Sequence, residues 1–372
     1  MIAAFHAACA AWFFALGSVV GSFLNVCIYR IPWQKSVVWP DSRCPRCLNA
    51  IAARDNVPIL GWIALRGECR RCKLPISARY PLVEALVGVL FLAVYYVDVW
   101  IAPGGLSGEV FARLGYHLML VSLLVAATFI DYDLQVIPDQ VTGLGMVVGL
   151  VGAALDPSIR PSPSSAAGTW GGLAPAAIGA ASGMALGAIA RALFRLVFGP
   201  GPPRDPDEPP PEGFGPVAVL GAIGWEAVVL AWPEGWGSVV VGAQGMVVGA
   251  ALIYGVSVLG RLVFRREAMG FGDVTLLAMI GAFLGWQAAV LTFFLAPFFG
   301  LAHALAKVGP ILARRLRGVS SSASAHEMPF GPYLSMAALS LLLGWDRLWR
   351  GWAGPMFGAL GALARALAAG EL

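Results

Sequence analysis

Charge is scarce in this chain, and that scarcity excludes a water-soluble fold of its size. Charged residues fill 12% of the 372 positions and hydrophobic residues 58%, which leaves too little polar surface to wrap a soluble protein. Histidine is scarcer still: His6, His117, His303 and His326 are scattered along the chain and make no metal-ligand set. No basic run precedes the first hydrophobic segment and no clear small-residue cleavage site follows it. That segment therefore reads as an anchor and not as a removable signal peptide. A glycine-rich nucleotide loop is also missing.

Long apolar stretches are what the chain has in their place. Runs near the roughly 20 residues needed to cross a bilayer recur at 4–28, 81–101, 113–131, 139–155, 172–198, 215–232, 237–262, 274–286, 287–308 and 330–346. A weaker run at 353–369 carries Arg365 and suits the membrane surface. The expected fold is an all-α polytopic membrane protein of about 8–10 transmembrane helices, with a small polar domain after the first. The chain divides into a first helix (1–29), a polar domain (30–80), helices over 81–198, a Pro-rich linker with an extra helix (199–236) and further helices over 237–372. The linker, with eight prolines and four acids between Gly199 and Pro216, cannot pack a core.

The net charge of +4 says less than its placement. Between Arg30 and Arg79 ten Lys or Arg stand against three acids, so the positive-inside rule puts this segment in the cytoplasm. Arg261, Arg265 and Arg266, then Lys307, Arg314, Arg315 and Arg317, mark two further cytoplasmic loops. Threading the spans returns all three to one side.

Four of the six cysteines lie in the polar domain, as Cys44-Pro-Arg-Cys47, twenty-one residues, then Cys69-Arg-Arg-Cys72. Paired knuckles of this spacing present four thiolates to one zinc ion and leave no ligand position open, which points to a structural metal. A disulfide pairing is the alternative, disfavoured in a reducing cytoplasm. Cys9 and Cys27, at apolar positions in the first span, read as packing.

Ionisable residues at the edge of a span are costly and so informative. Asp131-Tyr-Asp133-Leu-Gln-Val-Ile-Pro138-Asp139 follows one apolar run, and Gly270-Phe-Gly272-Asp273 precedes another. Asp131 and Asp273 fall on one side by the charge count. Two carboxylates sharing a water cannot both ionise: one acts as base and the other, protonated, polarises a carbonyl, which is the apparatus of an aspartyl protease. The plainer reading of each is an interfacial residue or helix cap, and for Asp139 that reading is preferred.

In this order the motifs resemble those of the type IV prepilin peptidases, or leader peptidase/N-methyltransferases, of the wider GxGD class of membrane aspartyl proteases. The matching residues are Gly21-Ser-Phe-Leu-Asn-Val26 with Tyr29-Arg30, the four cysteines, Arg79-Tyr-Pro-Leu-Val-Glu84, Ile130-Asp-Tyr-Asp133 with Ile137-Pro-Asp139, Gly270-Phe-Gly-Asp273 and Pro329-Phe-Gly-Pro-Tyr333. The resemblance implies a bacterial inner-membrane enzyme whose active site faces the cytoplasm, with Asp131 and Asp273 as the catalytic pair. It implies prepilins or pseudopilins as substrates, cut after a glycine, and methylation of the new N-terminus from S-adenosylmethionine. The bilayer is the other expected partner, and nucleic acid is not expected. Two departures stand out: Thr275 occupies a position where the family commonly has lysine, and the excess length falls at about 156–236. The rival readings are a zinc-ribbon membrane scaffold without catalysis and a transporter using intramembrane acids.

Overall fold

In the computed structural model the structure describes residues 2–101, 108–155, 159, 236–264, 269–316 and 329–369. Ten α-helices fall among these residues: α1 Ile2–Arg30, α2 Leu60–Ala64, α3 Arg79–Tyr95, α4 Gly108–Leu134, α5 Asp139–Leu155, α6 Trp236–Phe264, α7 Phe271–Leu284, α8 Trp286–Leu316, α9 Gly331–Leu348 and α10 Gly354–Ala369. Two isolated bridges, Arg43 to Ala50 and Glu68 to Pro75, supply the extended pairing described. Five helices are long and apolar enough to cross a membrane, and Asp139–Gly152 and Phe271–Leu284 are shorter apolar helices. The expected spans at 172–198 and 215–232, and the linker and extra helix at 199–236 short of Trp236, lie outside the described residues.

The bundle is built around α7. Every residue from Asp273 to Leu284 is buried, because α4, α5, α6, α8 and α9 all pack against this short helix. Outward faces of the enclosing helices stay apolar, with Phe5, Trp12 and Phe23 exposed on α1 and Phe294, Phe298 and Leu301 on α8. Such surface suits lipid and not water.

Glycines set the helix spacing. In lipid no hydrophobic force pulls helices together, so close backbone approach at small residues carries the packing. Gly17 and Gly21 on α1 lie against Gly88 and Glu84 on α3, and Gly145 and Gly149 on α5 lie against Met279 and Ala282 on α7. Gly245 on α6 touches Gly281 on α7 backbone to backbone. A side chain at Gly245 would split this pair, so Gly245→Leu is expected to cost about 3 kcal/mol or to prevent accumulation. Gly255 on the same helix faces open space, and Gly255→Leu should leave the thermal midpoint of the detergent-solubilised protein unchanged.

Candidate active site and metal cluster

Asp131 sits in the last turn of α4 and Asp273 in the first turn of α7. Both are buried, at 6% and 8% exposure. Sequence distance is overcome by the turn after α4. Gln135 takes a left-handed conformation with φ 55 and gives its N–H to the Asp131 carbonyl at 2.8 Å, which stops the helix. The chain then lays Ile137 between two glycines: a Cβ on Gly272 would come within 2.9 Å of the Ile137 Cβ, and one on Gly331 within 3.0 Å of its Cδ1. Gly272 immediately precedes Asp273. Gly331 gives its backbone N–H to Asp131 Oδ2 at 3.0 Å. Ile137 thus packs against the glycine beside Asp273 and the glycine that bonds Asp131, and the two carboxylates lie within electrostatic reach of one another.

Two helix N-termini meet these carboxylates. Gly331 is the first residue of α9, and its N–H has no partner within its own helix, so it is free to serve Asp131. Asp273 is three residues past the N-cap Gly270 and reaches back to that residue's backbone N–H, the reciprocal half of a capping box. The cap reading of Asp273 therefore describes one of its contacts, while its burial beside Asp131 goes beyond capping. Asp273 lies at the positive end of its own helix dipole, while Asp131, at the negative end of α4, meets the positive end of α9 through the Gly331 N–H. Asp139 opens α5, where its charge is equally suited. Thr275 gives its hydroxyl to the Gly272 carbonyl at 3.0 Å, so this position supplies a local tie and no positive charge.

The remaining motifs tie the polar domain to the bundle and, at Arg79, α3 to α4. Asn25 on α1 donates to the Tyr80 carbonyl at 3.2 Å, and Arg30 holds the carbonyls of Ser36 and Pro40 at 2.9 and 2.6 Å. Glu84, buried on α3, accepts the Ile59 N–H at 2.7 Å. Arg79, the first residue of α3, forks onto Asp133. Sequence reasoning named these motifs but did not see the roles of Gly331, Ile137 and Arg79. The only advance sign was their presence in the motif list.

The four cysteines come together as well. Their sulfurs all lie within 4.8 Å of one another, with Cys44 to Cys72 at 3.9 Å and Cys47 to Cys69 at 4.0 Å. A tetrahedral Zn–S site at about 2.3 Å implies sulfur separations of about 3.8 Å, so the set can hold one metal ion. The two knuckles repeat one geometry. The Cys44 N–H bonds the Asn49 carbonyl and the Cys69 N–H that of Leu74. Leu48 and Lys73 occupy matching left-handed positions at φ 58 and 57. The Asn49 amide donates to the Cys47 sulfur at 3.4 Å and, as the largest cause, brings that thiol down to about 6. Backbone N–H groups of Cys72 and Arg71 lower the Cys69 thiol. Nearby, Arg70 grips Asp55 at 2.6 and 2.7 Å and keeps its carboxyl below the usual range.

Two family models match the chain. The first, described as the bacterial peptidase A24 N-terminal domain, matches residues 15–97, which include the cysteines. The second, described as the type IV leader peptidase family, matches residues 214–305, which include Asp273. The chain is similar to the prepilin leader peptidase/N-methyltransferase of Aeromonas hydrophila, 31% identical over 361 residues covering 91% of each chain. It is similar to the protein of the same name from Myxococcus xanthus (strain DK1622), 33% identical over 279 residues, 75% of this chain and 57% of that relative. It is also similar to that of Pseudomonas putida, 29% identical over 356 residues and 90% of each chain. No solved structure matches.

Proposed function

The chain belongs to the family of prepilin leader peptidase/N-methyltransferases, and from that premise we propose that it is a membrane aspartyl endopeptidase with Asp131 and Asp273 as its catalytic pair. It removes the leader of type IV prepilins or pseudopilins, cutting after glycine at the cytoplasmic face of a bacterial inner membrane. The observation that carries this reading is the convergence of two buried carboxylates, from α4 and α7, where Ile137 packs between Gly272 and Gly331. The ten-to-three excess of basic residues over acids between Arg30 and Arg79 supports the cytoplasmic orientation.

One carboxylate is ionised and takes a proton from water, while the other, protonated, polarises the scissile carbonyl; the roles exchange as the amine leaves. Gly331 N–H occupies Asp131 Oδ2, which leaves Oδ1 to meet the water. N-methylation of the new N-terminus from S-adenosylmethionine is the second activity that family membership brings. The chain has no glycine-rich nucleotide loop, so no residue is given to the donor and the mechanism concerns cleavage alone.

The four thiolates hold a structural zinc ion, with no position open for water. The division into first helix (1–29), zinc domain (30–80), helices with the first aspartate (81–198), linker and extra helix (199–236) and helices with the second aspartate (237–372) is part of the same proposal.

The test is cleavage of a type IV prepilin by the purified full-length chain, with product masses giving the cut site after glycine. A Cβ at position 331 would meet Asp131 Oδ2 at 2.5 Å. Gly331→Ala is therefore expected to lower kcat about tenfold or more with KM little changed. An unchanged kcat would remove Gly331 from the site.

A further inference from the structure

Arg79 holds Asp133 through two parallel hydrogen bonds, Nη1 to Oδ1 at 2.9 Å and Nη2 to Oδ2 at 2.6 Å. Its guanidinium also lies 5.2 Å from the centre of the Phe129 ring. Phe129 and Asp133 are one helical turn apart and share a face of α4, whereas Asp131 is turned about 200° from Asp133. That opposite face meets Gly331. The fork from α3 thus grips the outer side of the turn whose inner side carries Asp131.

Two ordinary explanations account for little of this pair. Helix electrostatics does not favour it: Arg79 is the first residue of α3 and Asp133 lies in the last turn of α4, each at the helix end whose dipole opposes its charge. Stability gives a modest reason at most: the two side chains are 41% and 30% exposed, and even a well-formed pair at such exposure contributes on the order of 1 kcal/mol. What the fork does fix is rotation. A last turn free to swivel would carry Asp131 off Gly331 and, through Gln135, carry Ile137 off Gly272.

We infer that Arg79 and Asp133 are positioning residues for Asp131: the fork sets the rotation of the final turn of α4 so that the Asp131 carboxylate meets Asp273. Neither touches the reacting atoms. The inference rests on the peptidase reading, and cleavage by the wild-type chain tests that reading separately.

The experiment is steady-state cleavage of a type IV prepilin by the full-length chain in detergent, with thermal stability measured alongside. Arg79→Gln and Asp133→Asn are expected to lower kcat about 10- to 100-fold with little change in KM. Their thermal midpoints should fall by no more than a few degrees, roughly what the loss of one exposed pair costs. Arg79→Lys should fall between, because a point charge replaces a planar fork. Arg79→Asp and Asp133→Arg should each fail alone. Combined, they should recover most of the wild-type kcat, since the exchanged charges pair again and also suit both helix dipoles.

Single variants with wild-type kcat would overturn the inference. So would a rise in KM alone, which would assign the pair to substrate binding. An exchanged pair no better than the worse single variant would also overturn it, because the Asp133 carboxylate would then have a chemical part of its own. If the wild-type chain does not cut the prepilin, the peptidase reading fails and this inference falls with it.

Discussion

Asp131→Asn and Asp273→Asn should each abolish leader cleavage while the protein still accumulates in the membrane. The substitutions are nearly isosteric and remove only charge and the capacity to carry the proton. Both sites are buried, and an uncharged amide costs less there than a carboxylate, so the fold has no reason to fail. At position 131 the Asn carbonyl oxygen can still accept the Gly331 N–H. At position 273 it can still take the Gly270 N–H, so helix capping survives. Only the acid/base exchange is lost, and a loss of at least about 10⁴-fold in cleavage is expected for either member of a catalytic pair.

Immunoblots of a co-expressed prepilin, with membrane levels of each variant checked in parallel, give the answer. Cleavage by either variant would strike that residue from the mechanism. A scaffold would assemble its partners regardless of these charges, so loss of cleavage with normal accumulation separates the two readings. A transporter that relays ions through intramembrane acids would not process the prepilin at all.

The second large effect concerns the cysteine domain. Between residues 31 and 78 the only buried hydrophobic side chains are Cys44 and Cys69. Val38, Trp39, Leu48, Leu60 and Ile63 are all exposed. A segment of this size without an apolar core cannot repay its conformational entropy. A structural zinc ion supplies about 10–16 kcal/mol in comparable small sites, which makes the metal the natural source of the domain's stability.

Replacing Cys44 and Cys72 together by serine should therefore abolish metal binding and open residues 31–78 to proteolysis. The helical bundle, held by its own glycine contacts, should stay in the membrane. Metal analysis of the purified wild type should find about one zinc per chain. A serine variant that stayed protease-resistant would show that the domain stands without metal, and the structural role would then be wrong. Prepilin cleavage by the same variant should drop sharply, because the domain is joined to α3 by the Ile59 to Glu84 bond, a few residues from the Arg79 fork.

Several features of this molecule are legible one segment at a time. Hydropathy is a local property, so the apolar helices at both ends of the chain could be read from composition, with boundaries off by a few residues. Asp273 is a case in point. The sequence puts it just before an apolar run at 274–286, whereas the helix begins at Phe271 and encloses it, because Gly270 and not Asp273 is the cap. Cysteine spacing is local too, and the tetrahedral chemistry of zinc makes two knuckles sufficient evidence of a shared site.

Asp131, Asp273 and the order of the motifs could be picked out because carboxylates at membrane depth are expensive enough to need a reason. What tertiary structure alone decided is which residues meet. Nothing in Pro329-Phe-Gly-Pro-Tyr333 reveals that the Gly331 N–H would hold Asp131, and nothing in Arg79 names Asp133 as its partner. Those pairings depend on how α3, α4, α7 and α9 pack, and that packing is set by glycine contacts between distant segments. Sequence by itself therefore determined the solvent, the candidate metal ligands and the candidate acids, since each follows from local chemistry. The packed helices decided the geometry that buries two of those acids beside one another, since backbone approach in lipid is a property of pairs and not of single segments.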